Sequence, residues 1–115
     1  MKKMNYLFSI VCVLFLLSSC NSSIKPRVLV FSKTAGYRHE SIGVGKLAII
    51  KLGQENGFQV DTTENPLYFN EDSLKNYAAV IFLSTTGNVL DAPQEAAFER
   101  YIQAGGGYVG VHSSA

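Results

Sequence analysis

Unbroken apolar runs, separated by polar and glycine-bearing loops, recur along this chain. Arg27-Val28-Leu29-Val30-Phe31 and Ala79-Val80-Ile81-Phe82-Leu83 are two of them. Runs of this kind predict strands buried on both faces of a parallel sheet. Phe58-Gln59-Val60-Asp61-Thr62 alternates and predicts a shorter strand. Tyr108-Val109-Gly110-Val111 predicts a fourth. Helices are expected between them. The first runs from Ser41, placed to cap it, to about Asn56, with Gly57 as its stop. Its apolar residues (Ile42, Val44, Leu47, Ala48, Ile50, Leu52) spread over a broad face. Asn65-Pro66 breaks the chain, and Asn70 is placed to cap a short helix around Glu71 to Asn76. Asp91 stands three residues before Gln94, a capping-box spacing, with Pro93 in the first turn. Ala97, Phe98, Tyr101 and Ile102 form one face of that helix, and Gly105-Gly106-Gly107 ends it.

Strands alternating with helices argue for an α/β parallel sheet with right-handed crossovers. Ligands bind such sheets at the carboxyl ends of the strands. Three loops qualify by position: Ser32–His39, Ser84–Leu90 and His112–Ala115. Tyr108–Val111 reads as a central strand, which needs neighbours and cover on both faces. The expectation is therefore the front part of a longer domain; a four-stranded minidomain is the alternative.

The amino terminus changes the picture of where the domain works. Lys2 and Lys3 precede an apolar stretch, Tyr6 to Leu17, that ends in Leu17-Ser18-Ser19-Cys20. This is the build of a secretory signal. The stretch is too short to span a bilayer, which takes about 20 apolar residues. Cys20 after the small residue makes the segment resemble a bacterial lipobox. That resemblance implies a palmitate-bearing lipid anchor on Cys20 and attachment to the membrane of the cell envelope. Asn21 in place of an aspartate favours the outer membrane. The expected divisions are 1–19 signal peptide, 20–26 lipidated tether and 27–115 folded domain. With 10 basic and 9 acidic residues the net charge is +1, and no nucleic-acid partner is indicated. Cys12 and Cys20 are the two cysteines. Residues 21–115 therefore carry no thiol for a disulfide, a metal or a nucleophile.

Four segments, in order and in register, resemble the trehalose-utilisation (ThuA-like) domain family. They are Phe31-Ser-Lys-Thr-Ala-Gly-Tyr-Arg-His39-Glu-Ser-Ile42, Leu83-Ser-Thr-Thr-Gly87-Asn-Val-Leu90, Phe98-Glu-Arg-Tyr-Ile-Gln-Ala-Gly-Gly-Gly107 and Tyr108-Val-Gly-Val-His112-Ser-Ser-Ala115. The resemblance implies a flavodoxin-like α/β fold related to class I glutamine amidotransferases, in a domain about twice this length. It also implies a role in carbohydrate utilisation, with sugars or keto-sugar derivatives as ligands and sugar-processing proteins as partners. The amidotransferase cysteine would fall at about His112, so thiolate chemistry is excluded for this segment.

His112 is the leading catalytic candidate. It follows the fourth strand, where the family motif places a histidine, and imidazole serves as acid or base near neutral pH. The alternative is a histidine that only bonds its turn. His39, at the mouth of the first helix, is the second candidate, with helix-start packing as its alternative. With Glu40 the two could imitate a metal site of two histidines and a carboxylate. Their spacing is no ligand motif, and neither metal nor other cofactor is expected. Lys33 and Arg38 could bring positive charge to an anion at the helix start. Thr85, Thr86, Gly87 and Ser113 could bond sugar hydroxyls, or serve turn geometry alone. No carboxylate pair suits a two-carboxylate glycosidase, and no Gly-x-Ser-x-Gly elbow surrounds Ser113.

Overall fold

The structure is a computed structural model and describes residues 22–114. The expected signal segment, the expected lipid site at Cys20 and Ala115 lie outside the described residues. Four parallel strands form one sheet: β1 (Arg27–Phe31), β2 (Gln59–Thr63), β3 (Ala79–Leu83) and β4 (Gly107–Val111), in the order β2-β1-β3-β4. Three helices connect them: α1 (Ser41–Asn56), α2 (Glu71–Leu74) and α3 (Ala92–Gln103). This is the expected parallel α/β architecture, with helices flanking the sheet in flavodoxin-like fashion. Among the described residues, no helix is long and apolar enough to cross a membrane.

The main core lies between the sheet and α2 and α3. Leu29 and Phe31 of β1, Val80 and Phe82 of β3, Phe69 and Leu74 are buried together, with Phe98 and Tyr101 of α3 packed against them. Phe31 meets Phe69 edge-on at 4.7 Å, and Phe98 stacks on Phe82 at 5.3 Å. Each such buried side chain contributes about 1.5–3 kcal/mol by leaving water. The opposite face carries α1, which approaches β2 closely at Gly53. A Cβ there would stand 2.6 Å from the Phe58 carbonyl oxygen and 2.9 Å from Val60. Only glycine lets the helix lie so near the strand. Farther up α1, Gly45 sits against Leu83 of β3.

Several boundaries differ from the sequence expectation. The cap of α1 is Glu40, in helical conformation and with no side-chain bond; Ser41 is already the first helical residue. Capping by Ser41 is thus corrected, because a capping hydroxyl needs an extended backbone one position before the helix. A 3₁₀ turn, Pro66–Tyr68, precedes α2, and Asn70 caps α2 as expected. Both halves of the Asp91–Gln94 capping box are present on α3. β4 stands at the edge of the described sheet rather than in its centre. Val109 is 49% and Val111 40% exposed.

Candidate functional site

Parallel strands end on one rim, and here the rim brings the two histidines together. β1 leads into the loop that carries Tyr37, Arg38 and His39; β4 leads directly into His112. The His39 and His112 rings meet edge-to-face, with centroids 4.5 Å apart at 79°. Tyr37 also meets His39 edge-to-face, with centroids 4.9 Å apart. His39 is half-buried and His112 exposed. A hollow of about 410 Å³ opens on the β4 side, lined by Tyr108, Gly110, His112 and Ser114 but not by His39.

The backbone at this rim is unusual. Ser84, His112 and Ser113 all have positive φ, at 50°, 45° and 51°. Side-chain-bearing residues seldom adopt the left-handed region, and such residues gather at functional sites. Ser84 follows β3, and its N–H donates to the Val111 carbonyl at 2.8 Å. The ends of β3 and β4 are therefore tied together where both chains turn.

The remaining candidates fall into two groups. Lys33, Glu40, Gly87 and Ser113 lie in the rim loops. Thr85 is buried, only 3% exposed, and Thr86 and Arg38 have partners within the protein. The Thr86 hydroxyl donates to the Tyr37 carbonyl at 2.7 Å, and its own carbonyl accepts from Ala35 and Gly36. The second loop thus braces the first, and the first holds His39. Gly87 has φ of 73°, as a turn glycine should. Arg38 is ion-paired with Glu64, whose other oxygen lies 3.8 Å from Lys46. An exposed pair like this contributes about 0–1 kcal/mol to stability. Glu40 does not complete a metal site, since no group of three potential ligands occurs among the described residues.

Glu64 and Tyr37 were not singled out in the sequence. Glu64 follows β2 at the same carboxyl rim, and that position was its one signal. A larger cavity, about 570 Å³, lies between α2 and α3, lined by Asn70, Asp91, Gln94, Arg100 and others. Its polar groups are already paired: Asn70, Asp91 and Gln94 in helix caps, and Arg100 with Glu71. The histidine rim is the better candidate despite its smaller hollow.

Comparison with known proteins agrees with the parallel α/β fold. The family model described as "Trehalose utilisation", ThuA, matches residues 27–115. The chain belongs to the ThuA family. No curated protein matches it. The crystal structure of a ThuA-like protein from Bacteroides uniformis superposes with a TM-score of 0.65 at 26% identity. The match covers 84% of this chain and 40% of that one. This ThuA domain therefore spans less than half the length of that solved relative. Its histidine rim lies within the matched family segment, on the loops after β1 and β4.

Chemically, two adjacent imidazoles offer a donor and an acceptor each when neutral. A neutral one can take a proton from a bound hydroxyl or carbon acid, and a protonated one can return a proton. The start of α1 on the same rim has no side-chain cap, and its Ile42 N–H donates to the His39 carbonyl at 3.3 Å.

Proposed function

We propose that this chain is the ThuA-like part of an envelope lipoprotein, anchored through lipid on Cys20, that acts on a sugar or sugar derivative. Residues 1–19 would be its signal, 20–26 its tether and 27–115 its domain. His112 is the acid/base and His39 its partner. Lys33, Glu40, Gly87 and Ser113 are placed to contact the ligand around them. The observation that carries this reading is the edge-to-face contact of His39 and His112 on the carboxyl rim. Family membership supports carbohydrate as the ligand class. Keto-glycosides fit the chemistry best, because the proton beside their carbonyl is the most acidic carbon-bound proton a sugar derivative offers to a base.

The test is turnover of keto-glycosides and their parent glycosides by the full chain and by His112→Ala. Loss of general acid/base catalysis lowers the rate by about 10²-fold or more. Unchanged turnover in His112→Ala would defeat the catalytic role. Saturable binding with no product from the unsubstituted chain would make the domain a carbohydrate-binding module instead.

A further inference from the structure

His112 and Ser113 are consecutive residues with side chains in the left-handed region, at φ of 45° and 51°. Each is disfavoured there, and such backbone persists only where its surroundings over-determine it. Two side chains supply that constraint. The Tyr108 hydroxyl donates to the Ser114 carbonyl at 2.6 Å. The Ser114 Oγ lies within 3.0 Å of the carbonyls of Phe82, Val111 and His112. Its single O–H donates to one of them at a time, and all three converge on it. One carbonyl belongs to β3, one to β4 and one to the turn, so Ser114 joins the turn to both strands.

Tyr108 reaches the turn across Gly110. A Cβ on Gly110 would lie 3.0 Å from the Tyr108 hydroxyl oxygen and 3.2 Å from the Ser114 Cβ. The glycine is what lets the tyrosine pass. The Tyr108 ring, though 44% exposed, packs edge-on to Phe82 at 5.4 Å and to Phe98 at 5.6 Å. An unbroken path thus runs from the buried aromatic core through one hydroxyl to the turn that bears His112.

We infer that Tyr108 and Ser114 are positioning residues that clamp this left-handed turn and so aim His112 at His39. The inference rests on the reading of the two histidines as the site. Without the clamp, the turn relaxes toward ordinary backbone, and the His112 ring leaves His39. Neither residue needs to touch the reacting atoms.

Edge-to-face rings displace each other's carbon-bound proton resonances, so NMR of the isotope-labelled full chain reads the pair directly. His39→Ala sets the His112 resonance positions without a partner ring. Tyr108→Phe removes only the hydroxyl and keeps the ring on Phe82 and Phe98. The expected result is that Tyr108→Phe moves the His112 resonances to their His39→Ala positions, with the unfolding midpoint nearly unchanged. Retention of the unsubstituted positions in Tyr108→Phe overturns the inference. Ser114→Ala is read in the same way and decides the matter should Tyr108→Phe fail to fold. If the displacement is lost as expected but the unsubstituted chain neither binds nor turns over sugar, the clamp stands and the functional reading falls.

Discussion

Tyr77 shows how one side chain can carry a pH dependence. Its hydroxyl donates to Asp61 Oδ2 at 2.8 Å, the oxygen that Arg27 also holds at 2.6 Å. Burial first, and then the bond to Asp61 and its charge, push the phenol from 10.0 up to about 12. The folded state keeps a proton that the unfolded chain has released in between. Stability from this group is therefore present below pH 10 and lost as pH rises toward about 12. Tyr77→Phe has no proton to lose. The stability advantage of the unsubstituted chain over Tyr77→Phe should shrink between pH 10 and about 12, measured as urea midpoints. A constant or growing advantage would refute the assignment.

Helices α1 and α3 differ at their starts, and the difference has a measurable consequence. Asp91 accepts from the Gln94 N–H at 2.9 Å, and Gln94 accepts from the Asp91 N–H at 2.9 Å. Losing such a cap lowers stability by about 1 kcal/mol. Asp91→Ala should therefore show that loss in denaturant titration, while Glu40→Ala at the start of α1 should show almost none. Equal effects would mean that the cap geometry does not control these ends. The Asp91 box was legible because its spacing and Pro93 agree. The Ser41 cap was misread because Ser41 looks like a cap by type, whereas Glu40 already has helical dihedrals. Side-chain chemistry cannot reveal where the first helical turn closes. The site shows the same division. Strand ends placed His39 and His112 on one rim from sequence alone. The engagement of Arg38 by Glu64 depends on a contact between loops distant in sequence, and no local pattern carries it.

For the whole described molecule, the apolar runs identified the strands but not their neighbours. Val109 reads like Val80, yet Val80 is fully buried and Val109 half-exposed. The reason lies in the layers. Pairing of Ile81 with Val109 and Leu83 with Val111 puts both valines on the α1 face of the sheet. There α1 packs mainly on β2 and less on β3, while α3 covers the opposite face, where Tyr108 meets Phe98. Parallel sheets are usually covered on both faces. In this chain the α1 side of β4 is open, and the exposed stripe of Val44 and Leu47 on α1 looks onto solvent as well. Two outcomes follow from that layout. Val80→Ala should lower stability by about 1–3 kcal/mol through lost burial, whereas Val109→Thr with Val111→Thr should change it by about 0.5 kcal/mol or less. The double substitution should also weaken fluorescence of an apolar dye bound to the chain, because it removes the open patch. A large stability loss with unchanged dye binding would mean that the α1 side of β4 is covered in solution.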